Sequence, residues 1–208
     1  MNAFICTGGV IYPDRITERP ESDDLVIAAD AGLCNAEALG LTPSVLLGDF
    51  DSLGEPLVSE ETELIRVPAE KNETDTQLAV SLALERGAKR IAIVGGLSGR
   101  VDHTLSSLAL LEWLRDKGIS AILTDGKNRA RFLRNGSELI PRSERFSYLS
   151  LLCADDVVKG VTVEGCKYPL KNAKLSRRVQ YAVSNEITGN CALVSVRHGG
   201  VWIIESTD

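Results

Sequence analysis

No stretch of this 208-residue chain approaches the roughly 18 uninterrupted apolar residues that a membrane-spanning helix requires, which argues against a helical membrane protein. Its five cysteines (Cys6, Cys34, Cys153, Cys166 and Cys191) are odd in number and contain no C-x-x-C pair. Neither a disulfide framework nor a zinc site is favoured, and a reducing compartment is expected. The 23 Lys and Arg are outnumbered by 29 Asp and Glu, giving a net charge of -6, and they form no cluster, so electrostatic binding to nucleic acid is not expected. Residues 1–12 lack the basic region of a secretory leader; a cytoplasmic protein is expected. Low-complexity tracts and internal repeats are missing, as are the P-loop G-x-x-x-x-G-K-[ST] and the regular G-x-G-x-x-G fingerprint.

What is present is ordinary globular composition, 44% hydrophobic and 25% charged, which is enough to bury a core. The first two thirds alternate short apolar runs with helical patterns. "AFIC", "LVIAA", "SVLL", "LIRV", "RIAIVGG" and "SAILTD" each end near Gly, Asp or Pro, as the strands of a parallel sheet with crossover helices do. Thr74 to Arg86 carries Leu78, Ala79, Leu82 and Ala83 at helical spacing behind a Thr74/Gln77 capping box. Residues 101–116 form a second, more apolar helix, expected to be covered on several sides, with Trp113 in the core.

Beyond about residue 127, "FSYLSLLC", "VVKGVTVEG", "YAVSNEI", "CALVSVRHGG" and "VWIIES" read as short strands. His198-Gly199-Gly200 and Thr188-Gly189-Asn190 are the expected hairpin turns. The expected organisation is an α/β domain over residues 1–127, Rossmann-like with a mostly parallel sheet, followed by an all-β domain over 128–208.

The sharpest chemical signal is "LLGDFDSL", residues 46–53. It puts Asp49 and Asp51 at the carboxyl end of a buried strand, where open α/β sheets bind ligands. If the backbone stays extended, both carboxylates face one way. At about 4 Å and an effective dielectric near 20 they repel by roughly 4 kcal/mol, a penalty that a hard divalent cation removes. Asp30, ending "LVIAAD", and Asp75, in the first turn after "KNETD", occupy comparable places. Magnesium takes one or two carboxylates and completes its shell with water and phosphate oxygens, so a metal-bound phosphate is the expected guest. Around the acids lie Lys71, "TGG" at 7–9 with Gly8 and Gly9, and "GGLSGRVDH" at 95–103 with Gly96, Arg100, Asp102 and His103. Backbone N–H groups freed by glycine and a helix N-terminus near Val101 suit phosphate oxygens.

"AADAGL" (28–33), "LGDFDSL" (47–53), "KNETDTQLAV" (71–80), "GGLSGRVDHTLSSLALL" (95–111), "GVTVEGCKYPL" (160–170) and "SNEITG" (184–189) follow one another as in the thiamine pyrophosphokinase (thiamine diphosphokinase) family, which the chain resembles over nearly its whole length. The resemblance implies transfer of the diphosphoryl group of ATP to the hydroxyl of thiamine. It also implies a homodimer, with an α/β domain for ATP and Mg2+ and a β-sandwich completing the thiamine site across the subunit interface. On that basis Asp30, Asp49, Asp51 and Asp75 are the catalytic acids, and Asp49, Asp51 and Asp75 the metal ligands. Lys71, Arg100, Asp102, His103, Gly8, Gly9 and Gly96 line the nucleotide, and Gln77, Tyr168, Ser184 and Asn185 contact thiamine. Asp75 or Asp51 is the proton acceptor, and Tyr168 or Trp202 the aromatic partner of the thiazolium. The first motif reads "ADAG" where the family commonly has "ADGG", which makes the turn at Ala31 a point of interest. A haloacid-dehalogenase-like phosphatase with Asp49 as nucleophile fits less well, since Leu53 stands where that motif needs Thr or Val. A magnesium-holding nucleotide module without turnover is the non-enzymatic alternative.

Overall fold

The computed structural model describes residues 1–50, 59–68, 70 and 72–208; Asp51 and Lys71 lie outside the described residues. All six apolar runs are strands: β1 (Ala3–Cys6), β2 (Leu25–Ala29), β3 (Val45–Gly48), β4 (Glu63–Arg66), β5 (Arg90–Val94) and β6 (Ser120–Thr124). They pair in parallel in the order β4-β3-β2-β1-β5-β6. Helices α1 (Gly32–Ala38), α2 (Asp75–Glu85) and α3 (Val101–Asp116) supply the covering layers. Strand alternation sorts the side chains. Ala3, Ile5, Leu25 and Ile27 face α2 and α3, where they pack with Ala79, Val80, Ala83, Leu110, Leu111 and Leu114. Phe4, Cys6 and Val26 face the other way and pack with Ala36 of α1. Full burial of side chains such as Leu111 and Leu114 stabilises the layer by roughly 1.5–3 kcal/mol each.

After β6 the chain turns back in a hairpin that the sequence did not suggest; its second strand, β7 (Asn128–Pro141), is long and continues the same sheet antiparallel to β6. The remaining strands are β8 (Tyr148–Cys153), β9 (Val157–Glu164), β10 (Leu170–Ser176) and β11 (Cys191–Ser206). β11 pairs with β7 along its length and with both β9 and β8 on its other side. The result is an α/β fold with one mixed sheet, whose hydrogen-bond ladder runs unbroken past residue 127. Side chains on β11 serve two cores: Val201 and Ile203 join Leu149, Leu151 and Val163, while Trp202 and Ile204 pack against the α2/α3 side. Glu205, 2% exposed, accepts from Arg129 (2.8 and 2.9 Å) and Arg131 on β7, so the strand pair carries a buried ionic link.

Several expectations are corrected. "CALVSVRHGG" and "VWIIES" are one strand; His198-Gly199-Gly200 is a bulge within it, where the register with β7 shifts between Val196 and Gly200. "YAVSNEI" contributes only isolated bridges at Asn185 and Ile187. α3 is covered on one side, leaving Val101 and Leu105 70% and 61% exposed, because only one face of the sheet lies against it. Trp113 is exposed, with the Lys117 ammonium over its ring. No helix among the described residues is long and apolar enough to cross a membrane.

Candidate active site

The parallel strands β2, β1 and β5 are neighbours, so the order in which the chain adds strands reverses at β1, and at such a switch point the turns leaving neighbouring strands diverge to leave a crevice. Thr7-Gly8-Gly9 leaves β1, and Gly95-Gly96 leaves β5. The two turns touch: Gly96 N–H donates to Gly8 O at 2.9 Å, and a Cβ on Gly95 (φ +102°) would lie 2.4 Å from Thr7 O. Only glycine permits that approach. From below, the buried Asn35 of α1 donates through Nδ2 to Thr7 O (2.7 Å) and Gly9 O (3.0 Å). Ser98 Oγ accepts from Val10 N–H at 2.7 Å.

These turns border a cleft of about 640 Å3. Ala29-Asp30-Ala31 closes one side, and the start of α2, Thr74-Asp75-Thr76, closes another. Arg100, His103 and Ser107 enter from the start of α3. Thr74 caps α2 as expected, its Oγ1 accepting from Gln77 N–H at 3.2 Å. Two helix N-termini thus open on the cleft, each presenting the positive end of its dipole. Thr7 and Thr76 share a 2.7 Å hydroxyl contact at the rim.

Of the acids, Asp30 and Asp75 border the cleft. Asp30 is held at φ +47°, its N–H donating to Leu47 O at 2.7 Å, and its Oδ1 is buried with no hydrogen-bond partner among the described residues. A buried carboxylate oxygen without a donor is costly, and a cation or a donor from substrate would satisfy it. Asp49 follows β3 beyond Gly48, whose Cα position is close enough to Asp30 that a Cβ there would come 3.2 Å from Asp30 Cα; it is not among the residues bordering the cleft. The premise of an extended chain does not hold at Phe50, which turns at φ +60° and buries its ring beside Ala28, Leu33 and Leu46. Among the described residues no three His, Cys, Asp or Glu side chains group as a ready-made metal cage.

Gly8, Gly9, Gly96, Arg100 and His103 all border the cleft. Asp102 does not; it accepts from Arg100 Nη2 (2.6 Å) and Nε (3.2 Å). That hydrogen bond raises the Arg100 pKa and lowers that of Asp102 on this solvent-exposed pair. Gln77 is likewise absent from the lining. Ala31, the departure from the family motif, sits at φ -55°, ψ -8°, ordinary helical space, so the methyl group imposes no strain. The indispensable glycine is Gly32: a Cβ there would fall 2.0 Å from Cys6 O.

Tyr168 and Asn185 border a separate apolar cavity of about 110 Å3 between Leu149, Leu151, Val163 and Leu170. Tyr181 forms part of its wall, an aromatic that the motif strings do not single out. Asn185 uses its amide on the Tyr168 backbone, accepting from its N–H (3.0 Å) and donating to its C=O (2.8 Å). Ser184 is held at φ +55°, its N–H donating to Ser150 Oγ. Trp202 lies elsewhere, its Nε1–H donating to Leu108 O of α3 at 3.0 Å and its ring edge-on to Phe132. Thr7, Asn35, Thr76, Ser98 and Ser107 were not singled out from the sequence; isolated hydroxyls and amides carry no spacing signal, although Ser98 lies inside the glycine-rich string.

Comparison with known proteins agrees with this geometry. Residues 17–123 match the thiamin pyrophosphokinase catalytic domain, and residues 137–201 match the thiamin pyrophosphokinase vitamin B1 binding domain. The chain is 30% identical over 202 residues to thiamine pyrophosphokinase of Bacillus subtilis (strain 168), covering 95% of this chain and 94% of that protein. It is 26% identical over 174 residues to thiamin pyrophosphokinase 1 of Caenorhabditis elegans, covering 78% and 70%. The crystal structure of the Bacillus subtilis thiamine pyrophosphokinase superposes with a TM-score of 0.88 at 28% identity over all of both chains. That of a thiamin pyrophosphokinase family protein from Enterococcus faecalis gives 0.80 at 30%, again over both whole chains. The chain therefore belongs to the thiamin pyrophosphokinase family, enzymes that transfer a diphosphoryl group from ATP to thiamine.

Proposed function

We propose that this chain performs the family reaction in the cleft at the β1/β5 switch point, with Mg2+ and as a homodimer. The observation that carries this reading is the unpaired, buried Asp30 Oδ1 in a cleft that Asp75 also borders, facing glycine turns and two helix N-termini. Hard carboxylate oxygens suit Mg2+; Asp30 and Asp75, the described acids that border the cleft, would hold it, and Asp49 and Asp51 are the further acids that the family resemblance implies. When bound, the ion neutralises phosphate charge and favours in-line geometry.

The residues of this chain do the rest. N–H groups of the Gly8-Gly9 and Gly96 turns and of the first turns of α2 and α3 bind the phosphate oxygens. Arg100 and Lys71 offset charge that develops during transfer. The thiamine hydroxyl oxygen attacks the β-phosphorus, the bond from that phosphorus to the bridging oxygen of the α-phosphate breaks, and AMP departs. The hydroxyl proton passes to Asp75 or Asp51.

Residues 128–208 serve as a β-sandwich unit that binds thiamine and completes the dimer. Tyr168 and Tyr181 offer ring faces to the cationic thiazolium, a contact worth about 0.5–2 kcal/mol. Within one chain the apolar cavity and the cleft have no lining residue in common, which supports completion of the site by a second subunit. Incubation with ATP, Mg2+ and thiamine followed by chromatography tests the reading. AMP and thiamine diphosphate in equal amounts are expected; ADP or inorganic phosphate as the main product would refute it.

A further inference from the structure

A basic cavity of about 190 Å3 lies at the other end of the sheet. Arg90 and Ser120, the first residues of β5 and β6, border it, together with Arg115 near the end of α3 and Arg131 on β7. β5 runs from this cavity to the Gly95-Gly96 turn, and at roughly 3.3 Å per residue its length separates the two sites by about 13 Å. The cavity shares no lining residue with the cleft.

Its charge runs against that of the chain. Three guanidinium groups border it and a single carboxylate, Glu138, which accepts from Arg131 Nη1 at 3.0 Å. Arg131 Nη2 donates to Glu205, but its Nε is buried with no partner among the described residues. Among the described residues Arg90 and Arg115 make no ion pair; the acids flanking Arg115 on α3, Glu112 and Asp116, are both taken by Arg134. Unpaired guanidinium forks and an orphaned N–H donor call for an acceptor-only guest, and paired N–H groups match the oxygens of phosphate. The size limits that guest. Pockets for drug-sized ligands run to about 300–1,000 Å3, whereas this one holds on the order of six water volumes, enough for phosphate and too small for a nucleotide.

We infer that this cavity is a binding site for a small oxyanion of the phosphate class, separate from the catalytic cleft. Arg90 and Arg115 are exposed, so replacing them strands no buried carboxylate, as replacing Arg131 would. The test is calorimetric titration of the full-length protein with inorganic phosphate in chloride buffer lacking nucleotide and metal. Wild type and the cleft variant Arg100→Ala should bind one phosphate equally. Arg115→Ala should weaken it about tenfold, and Arg90→Ala/Arg115→Ala about a hundredfold, as loss of one and two charge-assisted contacts requires. Glu138→Gln, which removes the one acid and does not depend on the arginine variants folding, should tighten binding severalfold. Absence of binding by wild type, loss of binding in Arg100→Ala with retention in the double variant, or an unchanged or weakened affinity in Glu138→Gln would each overturn the inference.

Discussion

Replacing Gly32 by alanine adds one methyl group at the point where α1 meets the end of β1. That carbon would lie 2.0 Å from Cys6 O, 2.5 Å from Cys6 C and 2.9 Å from Thr7 Cα, all backbone atoms, so no rotamer change relieves the contact. Since Cβ atoms essentially never approach closer than 3.0 Å, helix and strand must part by about 1 Å. Overpacking of this kind costs about 1–3 kcal/mol, and the upper end applies where only backbone can yield. At about 2–4 °C per kcal/mol for a chain of this size, the melting temperature should drop by roughly 6–12 °C. The displaced segment is the one that carries Thr7-Gly8-Gly9, anchored from α1 by Asn35. A misplacement of about 1 Å in positioning groups can cost on the order of a hundredfold in rate, so kcat/KM should fall by that order at a temperature where the variant stays folded. Circular dichroism melting and AMP production measure the two effects. Ala31→Gly is the control: Ala31 is exposed and in helical space, so activity should hold within about twofold and stability should fall by less than about 1 kcal/mol. A Gly32→Ala protein with unaltered melting and turnover would show that the contact does not set the position of α1.

Four further outcomes follow. Asp75→Asn should nearly abolish AMP formation without changing the melting temperature; retained turnover removes Asp75 from the chemistry. Asn185→Ala should raise KM for thiamine with little effect on ATP, as Tyr168→Ala should, because its amide holds the Tyr168 backbone; an equal rise for both substrates contradicts that. Glu205→Gln removes a buried charge that two arginines share and should destabilise by about 3 kcal/mol in denaturant titration, the low end for breaking a buried pair; a change below about 0.5 kcal/mol would show the network is dispensable. Burial raises the Cys6 thiol from 9.0 to about 12, so the unfolded chain loses this proton first. The stability tied to the neutral thiol is complete below pH 9 and declines as pH rises toward 12, and wild type should lose stability above pH 9 more steeply than Cys6→Ala does.

The parallel strands were legible because β1, β2 and β3 are buried on both faces and so read as unbroken apolar runs, and β5 and β6 keep buried apolar residues, although β4 at the sheet edge is largely exposed. α1 was not, since it is 7 residues long and starts at Gly32 without a side-chain cap. β7 and β10 were missed for a different reason. "NRARFLRNGSELIP" and "LKNAKLS" carry polar or charged side chains on at least half their positions; in β7 the charges belong to a network whose partners, Glu205, Glu112 and Asp155, are distant in sequence. In the cleft, the acids and glycines stood out because strand ends and backbone approaches make local demands on residue type. The supports Asn35 and Thr76 satisfy partners that only the folded register brings near.

β11 shows the same division within one strand. "HGG" reads as a turn from composition, yet the hydrogen bonds continue on both sides of it. The reason lies in the side chains beyond the bulge. With a period of two, a slip of one residue would send Trp202 and Ile204 into the core now filled by Val201 and Ile203, and those two out against α3. The extra residues at His198-Gly199 absorb the shift in pairing with β7, so that Ala192, Val194 and Val196 before the bulge and Val201 and Ile203 after it enter the same core. A hairpin at that point would end the strand and leave Trp202 without Leu108 O; the glycines therefore serve to change the parity of a strand that must continue.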